Sequence, residues 1–414
     1  MRLTADTTAL RESRDLRLLI LGNFVSGLGT QATLVALPYQ VYVQTRSPLL
    51  TGLLGAAELV PLVTMALVGG ALADRFDRRK LLLADQVGLV VVAAALCAAA
   101  LAGHPPVGVL YVLAGLTAGF GAIQNVTRSA IIPNLVAPEQ IRPALAINFG
   151  LYQLTMVIGP GLGGLLIAAG GVQVAYAVDA VSCAAMVAAA LALSPQVPHG
   201  DGEHPPIGRS IAEGLRFVRG NRALLGSFAI DLVAMTFGMP RALFPVLAVS
   251  VYGAGASGTG LLFASVSAGA TVAALTTGWL ERVRRLGLIV IGAVVVWGAA
   301  IAVAGLASSI WPAAALLAVA GAADSVSAVC RSVINQTVTP DAMRGRMSSV
   351  FSLVVTSGPR LGDIEAGTVA SLASPRLSMT SGGLACIAGV GLIVLAFPQL
   401  AAYDAECAME SVLA

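Results

Sequence analysis

The chain has 414 residues, of which 57% are hydrophobic and 11% are charged, and its formal net charge is +3. Soluble globular domains carry about 25% charged residues, so this composition excludes a soluble protein and indicates a chain that lies mostly in a lipid bilayer. The sequence has no phosphate-binding loop or other catalytic motif, and its five cysteines lack metal-ligand spacing. We therefore expect neither an enzyme nor a cofactor or metal site.

Twelve apolar segments follow one another along the chain, each long enough to cross a hydrocarbon core of about 30 Å as a helix. They are predicted at 16–43, 48–73, 81–102, 106–135, 141–169, 172–193, 221–251, 257–280, 286–307, 311–338, 344–371 and 378–400. Helices are expected because backbone groups in lipid must bond within their own segment. The predicted fold class is an all-α membrane protein with twelve transmembrane helices in two pseudo-symmetric bundles of six.

A polar linker divides the two bundles. It opens with Pro195 and Pro198, and from Ile207 it turns amphipathic, which predicts a helix at the membrane surface. The expected organisation is a six-helix bundle over 1–193, a cytoplasmic linker over 194–220, a second six-helix bundle over 221–401 and a tail over 402–414.

The positive charges orient this layout. With both termini in the cytoplasm, 18 of the 24 Lys and Arg residues fall in cytoplasmic segments, whereas only Arg46 and Arg376 fall in outer loops. Because short cytoplasmic loops are enriched in positive charge, we expect both termini inside and no cleavable signal peptide. The expected location is the inner, or plasma, membrane.

The segment 69–80 concentrates six charges between the second and third apolar runs. A small residue lets the helix end approach its neighbour, and the basic residues are suited to hold carboxylates or lipid phosphates at the cytoplasmic surface. We predict a gating loop here, formed by Gly70, Asp74, Arg75, Arg78 and Arg79.

The two halves repeat one another. The run Gly159-Pro160-Gly161-Leu162-Gly163 recurs as Gly358-Pro359-Arg360-Leu361-Gly362, and Arg128-Ser129 recurs as Arg331-Ser332. Two parallel six-helix repeats resemble the major facilitator superfamily, and the loop at 70–80 is similar to that superfamily's signature between helices two and three. Asp77 stands where the signature has Gly, and Asn134 stands where many relatives have Asp, so we expect a rearranged set of charges at this gate.

A finer resemblance covers nearly the whole chain, including Tyr39 to Tyr42, Arg128 to Pro133 and the Gly-rich run. It is to the branch that holds the enterobactin exporter and the macrolide-efflux proteins, whose members export in exchange for protons. The Gly-rich run is similar to the motif of proton-coupled antiporters in that superfamily. The resemblance assigns Gly159, Pro160, Gly163 and Gly164 to that motif, where small residues allow close helix packing.

Ionisable residues within the spans are functional candidates because they are costly in the membrane. Glu58, Asp231 and Asp324 are the predicted proton-coupling groups. Asp324 lies seven residues before Arg331, so these two have an alternative role as a structural pair. The candidates for the substrate cavity are Asn23, Gln31, Gln124, Arg128, Phe237, Arg241 and Arg331.

The prediction from sequence is a secondary transporter that exports a small molecule by proton antiport with alternating access. Its expected partners are that substrate, protons and the lipid bilayer, with no nucleic acid, and the expected state is a monomer. The expected substrate is a siderophore or a hydrophobic drug or antibiotic. Two arginines and an aromatic content of 5% suit an anionic siderophore, whereas Met235 and Met239 with Phe237 leave drug efflux open. Proton-coupled uptake of a metabolite and a transport-dead sensor or partner protein remain as alternatives.

Overall fold

The computed structural model describes residues 8–196, 207–340 and 343–404, and these residues form helices joined by short turns, with no strand among them. The long helices are α1 (Arg14–Thr45), α2 (Pro48–Arg75), α3 (Arg78–Leu101), α4 (Val107–Ile131), α5 (Ile141–Gly170), α6 (Val172–Leu191), α7 (Arg222–Phe237), α8 (Gly255–Thr276), α9 (Leu286–Gly305), α10 (Ile310–Val338), α11 (Arg344–Leu372) and α12 (Pro375–Ala396). A linker helix spans Ile207–Gly220. The predicted all-α membrane class is confirmed, and twelve long helices occupy the positions of the twelve predicted segments.

Ten of these helices, in the described part of the chain, are long and apolar enough to cross a membrane. The other two are α7 and α11. The segment predicted at 221–251 is broken, because α7 ends at Phe237 and helix resumes only over Leu243–Val246 and Leu247–Val251. Pro240 lies in the break, where its missing N–H interrupts the helical hydrogen-bond ladder. Helix α11 is less apolar because it contains Arg360, Asp363 and Glu365.

The chain forms two compact units. The first consists of Met1–Arg46, Ala57–Glu203 and Gly255–Ala264, and the second consists of Ser47–Ala56, His204–Ala254 and Ser265–Ala414. The first turns of α2 therefore belong to the second unit, and the first turns of α8 belong to the first unit.

In the first unit, α1 packs against α5 and α6, and α3 packs against α4 and α6. The Gly-rich run of α5 makes close approaches on two sides. A Cβ atom on Gly163 would lie 2.7 Å from the Cα of Ala32 in α1, and one on Gly159 would lie 2.5 Å from the Cβ of Gln31. On the other side, a Cβ on Gly164 would lie 2.9 Å from the Cα of Gly260 in α8. These helices can approach so closely because glycine has no side chain at the points of contact.

The second unit repeats this scheme with every helix number raised by six. Helix α7 packs against α11 and α12, and α9 packs against α10 and α12. A Cβ on Gly358 of α11 would lie 2.6 Å from the Cβ of Met235 in α7, and a Cβ on Gly367 would lie 2.8 Å from the Cα of Gly52 in α2. The repeat seen in the sequence is therefore a repeat of packing, in which glycines of α5 and α11 contact equivalent helices.

Gly163→Ala tests this close packing. We expect it to lower the free energy of unfolding by about 1–3 kcal/mol, because the added methyl group overpacks the backbone of α1. The matched control is Gly161→Ala, since a Cβ there would lie 3.9 Å from its nearest neighbour, the Cβ of Ala264. Thermal unfolding of both variants in detergent measures the difference, and equal melting temperatures would contradict the packing argument.

Candidate functional site

The most polar feature of the second unit is a cluster of three charged side chains on two helices. Arg331 of α10 forms an ion pair with Asp231 of α7, and a second guanidinium nitrogen lies 3.7 Å from Oδ1 of Asp324. The Nε of Arg331 also donates to the backbone oxygen of Ser327 at 3.4 Å. Asp231 thus joins Asp324 and Arg331, which the sequence had already suggested as a pair, in one cluster.

The cluster is buried unevenly. The side chains of Arg331 and Asp231 are 3% and 1% exposed, whereas that of Asp324 is 25% exposed. Two carboxylates and one guanidinium carry one surplus negative charge when all three are ionised. Such a group inside the protein can exchange a proton, or bind a donor or cation, because either event compensates the surplus.

The break after α7 is held by side chains of neighbouring helices. The indole N–H of Trp297 in α9 donates to the Gly238 oxygen at 2.8 Å, and the backbone N–H of Ala242 donates to Oδ1 of Asp363 in α11 at 2.8 Å. These bonds satisfy backbone groups that the interrupted helix leaves open. Two predicted cavity residues, Phe237 and Arg241, lie at the two edges of this break and are half-buried.

In the first unit, Asp179 of α6 is buried and hydrogen-bonded. It accepts from the hydroxyl of Thr33 at 2.6 Å, from that of Thr30 at 3.3 Å, and from the thiol of Cys183 at 3.4 Å. The hydroxyl of Tyr176 in the same helix donates to Gln40 of α1 at 2.7 Å. These bonds attach α6 to α1 and give Asp179 a role in packing.

Hydrogen bonds explain the presence of Asp77, the unusual residue in the loop between α2 and α3. Its carboxylate caps α3 by accepting from the N–H of Arg79 at 3.0 Å, and it also accepts from the N–H of Gln196 at 2.9 Å. The N–H of Arg78 donates back to the Gln196 oxygen at 3.0 Å. Asp77 therefore joins the start of α3 to the start of the linker, which a glycine cannot do.

The arginines of this loop cap the carboxyl ends of two other helices. A nitrogen of Arg78 donates to the oxygen of Ala130 in α4 at 2.8 Å, and the Nε of Arg79 donates to that of Ala190 in α6 at 3.0 Å. A cation is favourable at a helix carboxyl end, where unpaired carbonyls carry partial negative charge. The predicted gating loop has three further members, Gly70, Asp74 and Arg75. The surroundings of Gly70 and the side chains of Asp74 and Arg75 lie outside what the structure describes.

The remaining candidates are dispersed in the first unit. Gln31 is buried against Gly159, and Gln124 and Glu58 are half-buried on α4 and α2. Arg128 donates to Oδ1 of Asn125 at 3.1 Å, and its guanidinium lies over the Tyr152 ring, 5.6 Å from the centroid.

Several buried polar residues of this unit, among them Asn23 and Asp85, have side-chain atoms without a hydrogen-bond partner in the described part of the chain. Asn23 is 6% exposed, and neither atom of its amide has a hydrogen-bond partner among the described residues. Asp85, which sequence reasoning did not select, is only 2% exposed and is likewise without a hydrogen bond from the residues described. Its one visible signal in the sequence is that it is the only acidic residue in the third apolar run.

Asp231 and Asp324 should differ in their effects on stability. We expect Asp231→Asn to lower the free energy of unfolding by about 3–5 kcal/mol, since it leaves the buried Arg331 charge without its contacting partner. Asp324→Asn makes the same chemical change at the more exposed and more distant carboxylate, and it should have the smaller effect. Thermal unfolding in detergent compares the two, and an equal loss would show that Arg331 does not depend on Asp231.

Asp77 is tested by a pair of substitutions. Asp77→Ala removes the acceptor for two backbone N–H groups and should destabilise the protein by about 1 kcal/mol, as expected for a lost helix cap. Asp77→Asn keeps an acceptor oxygen and should restore most of that stability. Hydrogen–deuterium exchange at Gln196 gives a local measure, with faster exchange expected in the Ala variant only. Unchanged exchange in that variant would exclude the link to the linker.

Comparison with solved structures supports the fold. A nucleoside transporter, NupG, aligns with a TM-score of 0.67 at 13% identity, covering 94% of this chain and 99% of that one. A bacterial homologue of the human lysosomal transporter Spinster aligns with a TM-score of 0.68 at 15% identity, covering 96% and 97% of the two chains. At these identities the likeness concerns the fold alone.

Sequence comparison identifies the family. The chain is 33% identical over 389 residues to the enterobactin exporter EntS of Salmonella typhi, which covers 92% of this chain and 90% of the relative. It is 32% identical over 387 residues to EntS of Citrobacter koseri, with 92% and 89% covered. The family model described as transmembrane secretion effector matches residues 7–412. The chain therefore belongs to the transmembrane secretion effectors, a family of membrane transporters within the major facilitator superfamily.

Proposed function

We propose that this protein exports an oxygen-rich small molecule of the catecholate siderophore type, in exchange for protons and by alternating access. The observation that carries the proposal is the buried cluster of Asp231, Arg331 and Asp324. The names of the enterobactin exporters to which the chain is similar support the substrate class. The low aromatic content, 5% of the chain, favours this class over hydrophobic drugs.

The charge of the cluster supplies a reason for proton coupling. Uptake of one proton by a carboxylate makes the cluster neutral, which is favourable in a membrane-embedded protein because an uncompensated charge there is costly. Asp231 contacts Arg331 directly and is almost fully buried, so it is best suited to remain ionised. Asp324 lies 3.7 Å away and is the more exposed carboxylate, so we assign the proton to Asp324.

The same carboxylate gives a reason for antiport. A catechol presents hydroxyl groups that donate hydrogen bonds, and an ionised carboxylate accepts such bonds strongly. Protonated Asp324 loses charge and acceptor capacity, so proton and substrate compete for one group. Competition of this kind produces exchange, because a proton arriving on one side of the membrane displaces the substrate there.

The moving parts in this proposal are the predicted halves, 1–193 and 221–401. In the antiporter motif of α5 and in its counterpart in α11, the closest approaches to neighbouring helices are at glycines, which have no side chain. Such contacts suit helices that slide along one another. Arg78 and Arg79 hold helix ends by hydrogen bonds to carbonyl oxygens. We assign the gating role to this loop, and we propose a monomer in the inner membrane with both termini in the cytoplasm.

Inverted membrane vesicles test export and coupling together. Vesicles acidified inside should accumulate a labelled catecholate siderophore, and dissipation of the pH gradient should abolish accumulation. Asp324→Asn should reduce uptake to the level seen without a gradient, because its side chain cannot bind a proton. The matched control is Asp404→Asn, which removes a carboxylate from a pair with Arg284 at 3.6 Å, where Arg284 is 59% exposed, and it should retain coupling.

The outcomes separate the alternatives. Gradient-driven accumulation of a macrolide or a dye in place of the siderophore would identify a drug exporter, and accumulation only with the opposite gradient would identify an uptake carrier. Gradient-independent flux would exclude antiport. Loss of coupling in Glu58→Gln but not in Asp324→Asn would transfer the proton-coupling role to Glu58.

A further inference from the structure

The first unit contains a group of buried polar residues, here called the layer, which lies next to a cluster of buried apolar residues, here called the plug. The plug lies at the ends of the helices that meet the linker and the loop between α2 and α3. Its members are all buried and pack together: Leu16, Leu19, Ile20, Leu82, Ile131, Ile132, Ala144, Met186, Ala190 and Leu193. These residues come from α1, α3, α4, α5 and α6 and the short turn after α4.

Each polar residue of the layer is one helical turn from a member of the plug. Asn23 follows Leu19 by four residues, Asp85 follows Leu82 by three, and Thr127 precedes Ile131 by four. Residues three or four apart lie on the same face of a helix, so these side chains share the faces that form the plug. The plug therefore lies between this layer and the helix ends.

The groups of this layer are almost fully buried and lack partners. Asp85 is 2% exposed, and Gln86 and Thr127 are fully buried. Both oxygens of Asp85, both amide atoms of Gln86 and the Thr127 hydroxyl have no hydrogen-bond partner among the described residues. Native proteins rarely leave several buried polar groups unsatisfied, so each such group requires an explanation in its structural or chemical role.

The charged and titratable groups that face Asp85 come from α4 and α6, the two helices that pack most closely on α3. From α4, Arg128 is near enough to act on Asp85 electrostatically, yet its guanidinium bonds Asn125 and forms no ion pair with Asp85. From α6, Cys183 is near enough to interact electrostatically with both Asp85 and Asp179, and its thiol donates to Asp179 at 3.4 Å. None of these groups neutralises a charge on Asp85 by contact.

We propose that Asp85 is a second proton-binding site, independent of the cluster around Arg331. Uptake of one proton from water converts the carboxylate to a neutral carboxyl group, and this removes an uncompensated charge from the interior. The carboxyl group then has an O–H to donate, and the amide oxygen of the adjacent Gln86 is an acceptor that lacks a partner. The proton leaves when the long, flexible Arg128 side chain turns from Asn125 and Tyr152 towards Asp85.

This arrangement makes Arg128 the control element of the site. The guanidinium is always charged, so its approach favours the ionised form of Asp85 and its withdrawal favours the protonated form. A role of Asp85 in transport rests on the proposed proton antiport. The binding of a proton by Asp85 does not, since it rests on the burial of this carboxylate and on its lack of an ion pair in the described part of the chain.

Chemical labelling tests the proposal on the purified full-length protein. Dicyclohexylcarbodiimide is an apolar reagent that adds to protonated carboxyl groups in apolar surroundings, and the adduct is located by mass spectrometry of peptides. We expect labelling of Asp85 that declines as the pH is raised. In Arg128→Gln the decline should move to higher pH, because the cation that favours the ionised form is removed.

Controls make each outcome decisive. Asp85→Asn should lose the adduct on this peptide while labelling at other carboxyl groups persists. Should Asp85→Asn fail to fold, the pH dependence in the wild type and its shift in Arg128→Gln carry the test. Absence of an adduct on Asp85 at every pH, or labelling that Arg128→Gln leaves unchanged, would overturn the proposal.

The vesicle assay distinguishes this proposal from the proposed function. If gradient-driven flux is absent but Asp85 is labelled as expected, the antiport proposal fails and the proton site stands. If flux is present and Asp85 is not labelled, the proton site fails alone.

Discussion

The contact between Arg331 and Asp231 is the interaction on which the second unit depends, because it joins α10 to α7 with charges that hydrocarbon cannot solvate. Removal of either partner would leave the other charge buried. Asp324 adds a second carboxylate seven residues before Arg331 on the same helix. The surplus negative charge of this cluster is what turns a structural ion pair into a site that can bind a proton.

The two units share a packing scheme and differ in their polar groups. Helix α1 contacts α5 and α6 as α7 contacts α11 and α12, and Gly163 and Gly358 allow these helices to approach closely. The first unit places Asp179 among hydroxyl and thiol donors, whereas the second places Asp231 against an arginine. Close packing restricts which residues are tolerated at the glycine positions.

The spans and the repeat were predictable from sequence because apolar length and small residues act within one helix. The break after α7 was not predictable from sequence, since its hydrogen bonds come from Trp297 of α9 and Asp363 of α11, which are distant in sequence. Asp77 was recognised only as a departure from a loop signature, because its second partner, Gln196, lies more than a hundred residues later. Asp85 was overlooked since helical periodicity does not reveal whether a buried carboxylate has a partner.

Coupling requires that proton affinity differ between the states of a transporter, because a group that binds equally in both shifts nothing. In the proton sites that we propose, the proton affinity of the second unit depends on the 3.7 Å distance between Arg331 and Asp324. In the first unit it depends on whether Arg128 stays with Asn125 and Tyr152 or approaches Asp85. The carboxylates are short and fixed by their helices, whereas the arginines have long flexible stems. In this proposal the positions of the two arginines therefore set when each unit binds a proton.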